Sequence, residues 1–159
     1  MPQVHLVMSK DAALQVAFRK IWPAPDDSSA VSAAHLLTEA LLFRFVQRSV
    51  ANPFGLDDTR WTYRETLTLA QCLRAPKRDE DWLWESLRCL NAIRNRLAHD
   101  IDVPDLSELI QKMYRAAGMR IDIHAPGANP EEREGNKLKY FLLILCGVVQ
   151  TLQDAQAEI

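Results

Sequence analysis

Residues 93–100 carry the side chains in this sequence that are best suited to acid–base chemistry. They read IRNRLAHD, so that Arg94 and Asn95 are followed by His99. Histidine is the usual side chain for moving protons near neutral pH. An arginine nearby could hold a phosphate and offset developing negative charge. Beside RNA, the histidine could take the proton from a ribose 2′-hydroxyl, which then attacks the adjacent phosphate in a scheme that needs no metal ion.

The spacing of apolar residues places this segment at the end of an amphipathic helix. Over residues 82–99 the apolar side chains form one stripe, made of Leu83, Leu87, Leu90, Ile93 and Leu97. Asn91, Asn95 and His99 recur every four residues and are predicted to form a polar ridge. On the helical wheel Arg94 falls inside the apolar stripe, where a guanidinium must find a partner or reach water.

Glu39 is the candidate partner for Arg94, because it lies among apolar residues of the long helix that precedes. Such a pair could serve only to fix the register of the two helices. His99 has a second interpretation, because a lone histidine at a helix end is more often a C-terminal cap favoured by the helix dipole. Arg94 and His99 are five residues apart, about 140° around an ideal helix. They can share one site only if the helix ends or bends before His99, or if two copies meet across a two-fold axis.

Helical spacing of apolar residues extends over almost the whole chain. Helices are predicted at about residues 9–22, 27–50, 62–73, 79–99, 105–118 and 130–157. Asp27 to Ser29 offer a cap for the second helix, and Thr62 with Glu65 forms a capping box for the third. Residues 119–130 are predicted to be a loop, with extended structure at 119–123. The pattern indicates a single all-α domain over residues 1–159, a compact bundle of about five to six helices.

The composition narrows the class of protein. The chain has 159 residues and a formal net charge of −2, which disfavours a nucleic-acid binder with a basic surface throughout but leaves room for a local basic site. Cys72, Cys89 and Cys146 form no Cys-x-x-Cys pair, as expected of buried thiols in a reducing compartment. No signal peptide is visible, and the longest apolar run, residues 140–149, is shorter than the roughly 20 residues that cross a bilayer. We therefore expect a cytoplasmic protein with no metal, no cofactor and no membrane contact.

Further basic residues surround the segment in sequence. They could line an RNA groove, with Trp61 or Tyr63 as a stacking platform, or simply form a solvated helix surface. These residues are Arg60, Arg64, Arg74, Lys77, Arg78, Arg88 and Arg96. The remaining histidines, His5, His35 and His124, lack metal-ligand spacing, and structural or surface roles are expected for them.

Arg94-Asn95-x-x-x-His99 resembles the R-x4-H motif of the HEPN superfamily, including the polar residue that typically follows the arginine. The segment LNAIRNRLAHD, with the upstream helices HLLTEALLFRF and TYRETLTLAQCL, is similar to the HEPN-like branch that contains the mannitol operon repressor family. The resemblance covers about residues 30–118. It leaves the C-terminal helix at 130–157 unexplained.

This resemblance implies an all-α bundle that forms a homodimer with the two motifs facing each other. In catalytic members it implies metal-independent endoribonuclease activity, often in toxin or phage-defence settings. Arg94 and His99 would then be catalytic, and Asn95 would orient the site or the substrate. Independently of the resemblance, the helical wheel gives Glu39 and Asn91 as candidate supporting residues, and the basic set gives Arg88 and Arg96 as candidate RNA contacts. The alternative is a non-catalytic binding module, such as a transcriptional regulator of the mannitol operon repressor type or an antitoxin-like partner of another protein.

Overall fold

The computed structural model describes residues 12–57, 60–75, 78–99, 105–118 and 130–154. These residues form six α-helices and two short 3-10 helices, with no strand among them. The α-helices are α1 (Ala12–Ile21), α2 (Asp27–Ser49), α3 (Tyr63–Leu73), α4 (Asp81–His99), α5 (Ser107–Ala117) and α6 (Pro130–Asp154). The 3-10 helices span Pro53–Leu56 and Arg78–Glu80. The prediction of an all-α bundle of five to six helices is confirmed.

Local sequence signals set several helix ends. The N-cap of α2 is Asp26, whose carboxylate accepts a hydrogen bond from the Ser29 backbone at 2.7 Å, so the cap predicted at residues 27–29 begins one residue too late. Thr62 and Glu65 form both bonds of the predicted capping box. Gly118 ends α5 with a positive φ of 57°, a conformation that glycine adopts without steric cost. The loop predicted at 119–130 lies outside the described residues except for Pro130, which already begins α6.

Helix α2 is the centre of the bundle and packs against α1, α3, α4 and α6. Its buried residues are Ala30, Val31, Ala34, His35, Thr38, Leu41, Leu42, Phe45 and Val46. By length and composition alone α2 could cross a membrane, but half of its most apolar stretch is buried against the other helices. The contacts of α2 in this structure are those of a core helix.

Helix α4 is held in place by neighbours on several sides. The helix packs against α2, α3 and α5, and its buried residues are Leu83, Trp84, Ser86, Leu87, Cys89, Leu90 and Ile93. A two-bond salt bridge between Arg74 and Glu80, with distances of 2.8 and 3.1 Å, ties the end of α3 to the turn that precedes α4. Glu85 of α4 pairs with Lys112 of α5 at 3.0 Å. These contacts fix which face of α4 points away from the core.

The buried stripe of α4 generates a stability prediction. We expect Leu90→Ala to lower the free energy of unfolding by roughly 2–5 kcal/mol, because the substitution leaves a cavity at a fully buried position. Leu36→Ala is the matched control, since the Leu36 side chain is 65% exposed and its truncation should change stability by less than about 0.5 kcal/mol. Urea denaturation of both variants measures the difference. Equal effects would contradict the assigned orientation of these helices.

Candidate functional site

Arg94 lies on the surface of the protein, not within the apolar layer that the helical wheel predicted. The fully buried part of the α4 stripe ends at Ile93, and Leu97 one turn later is only partly buried. The stripe therefore ends at the level of Arg94, and a long side chain there can carry its charge into water. Of the two outcomes expected for a guanidinium in this sector of the wheel, a partner or water, the structure shows water, because the wheel describes direction around the helix but not where the neighbouring helices stop.

The candidate ion pair between Arg94 and Glu39 is absent from the described part of the chain. Glu39 is half-buried on α2, and Arg94 instead donates a long hydrogen bond of 3.5 Å to the side-chain oxygen of Asn95. Both charges nevertheless affect the pKa of His35, which Glu39 raises and Arg94 lowers. No salt bridge between these two described residues holds the two helices in register.

The predicted polar ridge of Asn91, Asn95 and His99 occupies one helical face. Asn91 is half-buried, while Asn95 and His99 are exposed. No hydrogen bond or ion pair involves the His99 side chain within the described ranges. The imidazole is thus accessible and is not held by a polar contact to any residue that the structure describes.

A single protomer does not bring Arg94 and His99 to one point. Helix α4 continues to His99, so no described break or bend precedes the histidine. The two side chains therefore leave the helix about 140° apart and are separated by about 7.5 Å along its axis. Of the two arrangements that could unite them, a helix end or bend before His99 is not present in α4.

The two arginines expected to contact RNA have contacts within the protomer. Arg88 donates to the side chain of Gln71 on α3 at 2.6 Å and to that of Glu85 at 3.3 Å. Arg96 donates a long bond of 3.5 Å to the backbone oxygen of Asp105. Both guanidinium groups are exposed, so these surface contacts can be exchanged at little cost. The structure supplies no evidence that either one meets a ligand.

One contact that the sequence did not predict joins α2 to this face of α4. His35 is only 5% exposed, and its Nε2 lies 3.1 Å from Oδ1 of Asn91. Because a side-chain amide oxygen can only accept, His35 must carry a hydrogen on Nε2 and donate it. The expectation of an ordinary structural role for His35 did not reveal this contact. A histidine within an otherwise apolar helix was the available signal, but its partner lies 56 residues later in the chain.

The His35 ring is fixed by two more residues. It stacks on Tyr63 of α3, with ring centroids 4.2 Å apart and planes inclined by 23°. The Tyr63 hydroxyl is 2.9 Å from Oγ1 of Thr38, whose own hydroxyl is within bonding distance of the backbone oxygens of Ala34 and His35. Tyr63 is therefore buried, and its expected role as a base-stacking platform is wrong.

Burial lowers the pKa of His35 below its ordinary value. The hydrogen bond to Asn91 and the charge of Glu39 raise that pKa, the charge of Arg94 lowers it, and burial is the largest effect. The neutral ring is consequently favoured at neutral pH. The charged groups that act on His35 are Glu39 of α2 and Arg94 of α4. The residue of α3 that faces the ring is Tyr63.

The described residues contain no group of three or more His, Cys, Asp or Glu side chains that could hold a metal ion. Among the cysteines, Cys89 and Cys146 are buried thiols, whereas Cys72 is exposed. Burial raises the pKa of the Cys146 thiol to about 12, which keeps it protonated and unreactive. The buried thiols are therefore not candidates for chemistry, and the accessible polar side chains considered for a site are those of α4.

Comparison of the chain with protein-family models, with characterised proteins and with solved structures finds no match. A proposal for the function therefore depends on the positions of the side chains on α4 and α2.

The lowered pKa of His35 predicts a pH-dependent stability. Between the folded pKa and the unfolded value near 6.5, the unfolded chain binds more protons, so stability falls as the pH drops through that window. We expect the free energy of unfolding to decrease between about pH 7 and pH 5, and His35→Gln to flatten this decrease. Urea denaturation at several pH values measures both slopes. Identical slopes for the two proteins would contradict the assignment.

Proposed function

We propose that this chain is a metal-independent endoribonuclease of the HEPN type that acts as a homodimer, with Arg94 and His99 as its catalytic residues. One observation carries the proposal: both side chains are exposed within five residues of each other at the end of α4, and neither forms an ion pair with another described residue. A cation and an imidazole without an ion-pair partner among the described residues are available to a phosphodiester substrate.

The chemistry follows from the two side chains. Neutral His99 takes the proton of a ribose 2′-hydroxyl, and the 2′ oxygen forms a bond to the adjacent phosphorus. The bond from phosphorus to the 5′ oxygen breaks, and that oxygen takes up a proton from water, while protonated His99 releases its proton to the solvent. Arg94 binds the non-bridging oxygens and offsets their developing charge. The products are a 2′,3′-cyclic phosphate and a 5′-hydroxyl, and the reaction needs no metal ion.

Asn95 has a defined place in this scheme. Its side-chain oxygen accepts the long, exposed hydrogen bond from Arg94, which favours one orientation of the guanidinium without neutralising it. A carboxylate in the same place would compete with the phosphate for the arginine, whereas a neutral amide does not. Asn95 is therefore an orienting residue and Arg94 remains available for an anion.

The active site is proposed to be composite. On one continuous helix Arg94 and His99 point about 140° apart, so a single α4 cannot direct both at one phosphorus atom. A two-fold axis beside the ends of two α4 helices would bring Arg94 of one copy towards His99 of the partner subunit. Arg88 and Arg96, both exposed on α4, would lie along the path of a bound RNA. The resemblance to HEPN proteins favours a toxin or phage-defence setting, in which another protein controls the enzyme.

Cleavage of RNA in the presence of EDTA tests this proposal. We expect the wild-type protein to cleave single-stranded RNA and to leave 2′,3′-cyclic phosphate ends. His99→Ala should lower the rate by about 100-fold or more, the range typical of a lost general base, and Arg94→Ala by a similar factor. Arg19→Ala is the matched control, because Arg19 is an exposed arginine on α1 and its loss should leave the rate unchanged.

Two results would overturn the proposal. One is a wild-type protein that is as inert as His99→Ala on varied RNA substrates, which would favour the non-catalytic binding module. The other is cleavage that leaves a plain 3′-hydroxyl, because attack by the 2′-hydroxyl cannot produce it. Far-ultraviolet circular dichroism of each variant verifies that lost activity does not reflect lost folding.

A further inference from the structure

His35 is the buried titratable side chain of this region that the proposed mechanism leaves without a function. It lies on α2 with 5% of its surface exposed and makes a side-chain hydrogen bond to α4. A buried imidazole is costly to retain unless its polar atoms are satisfied, and leucine would fill a similar space without that requirement. A role for His35 would therefore act through Asn91, the residue that its Nε2 contacts.

The hydrogen bond determines which end of the Asn91 amide faces outward. The amide oxygen points to His35, so the amide nitrogen with its two N–H donors is left on the other side. Among the described residues no acceptor bonds to that nitrogen. Asn91 is half-buried, so its amide group lies where the core meets solvent.

Asn91 also lies close to the proposed catalytic arginine. It is one helical turn before Asn95 and three residues before Arg94, which are neighbouring positions on a helix surface. The charge of Arg94 also lowers the pKa of the His35 ring that Asn91 contacts. Two amide donors beside a free guanidinium form a suitable arrangement for the oxygens of a phosphodiester.

We infer that His35 is a positioning residue, which holds Asn91 so that its two N–H donors face outward beside Arg94 and bind a backbone phosphate of the RNA. The inference rests on the proposed function for the identity of the ligand. The stacking of Tyr63 on the imidazole and the bond between Tyr63 and Thr38 keep the ring in the orientation that this requires. His35 itself touches no substrate and acts through the Asn91 amide.

Binding of a fully 2′-O-methylated RNA tests this role separately from cleavage, because such an RNA has no 2′-hydroxyl to attack. We expect Asn91→Ala to weaken binding about ten-fold, the effect of losing hydrogen bonds to a charged group. His35→Leu should weaken it about three- to ten-fold by releasing the amide. His35→Gln should remain within about two-fold of wild type, because a glutamine amide can also donate to Oδ1 of Asn91.

The double variant distinguishes positioning from a general structural effect. If His35 acts only through Asn91, His35→Leu in an Asn91→Ala background causes no further loss of RNA affinity. Asn52→Ala, at an exposed asparagine after α2, is the control that should leave affinity unchanged. Thermal denaturation of each variant verifies that the protein remains folded. If His35→Leu does not fold, Asn91→Ala still tests the phosphate contact, because Asn91 is only half-buried.

The outcomes separate this inference from the proposed function. Additive losses in the double variant, or Asn91→Ala binding like wild type, would overturn the role of His35 even if the wild type cleaves RNA. If the double variant shows the predicted coupling but the wild type cleaves no RNA, the phosphate contact would be supported and the proposed endoribonuclease activity would be overturned. A wild-type protein that binds no RNA would overturn both.

Discussion

The position of every candidate side chain depends on how α4 is rotated against the core. Four fully buried residues, Leu83, Leu87, Leu90 and Ile93, set that rotation. Each is worth roughly 1.5–3 kcal/mol when removed from water, so turning the helix by one residue would expose several of them at once. The ridge of Asn91, Asn95 and His99 faces outward because the opposite face cannot leave the core.

A second constraint acts where the core meets this ridge. The neutral ring of His35 stacks on Tyr63 and bonds to Asn91, so one imidazole connects α2, α3 and α4. In a poorly solvated environment such a contact is strong when satisfied and costly when broken. Burial, which lowers the pKa of His35, favours the neutral ring, so that the ring donates to Asn91 without adding a charge to the core. The packing that stabilises the bundle thereby also orients the Asn91 side chain.

The sequence predicted the elements better than the contacts between them. Helix spacing and the Thr62 capping box gave the bundle and several helix ends, because these depend on residues within one or two turns of each other. Arg94 was assigned to the apolar stripe, since a wheel carries no information about where neighbouring helices end. The contact between His35 and Asn91 was missed because it joins residues 56 positions apart, and no local pattern encodes such a pairing. The separation of Arg94 and His99 around α4 was predictable, and it follows directly from an unbroken helix.

The central claim is that one active site takes Arg94 from one copy and His99 from the other. Mixing two inert variants, Arg94→Ala and His99→Ala, under conditions where subunits exchange tests this most directly. When the two variants are mixed in equal amounts, half of the dimers contain one copy of each. Each of these mixed dimers has one intact site out of two, so about a quarter of the wild-type rate should return. A mixture that stays as inert as its components, while the wild type is active and subunit exchange is demonstrated, would contradict the composite site.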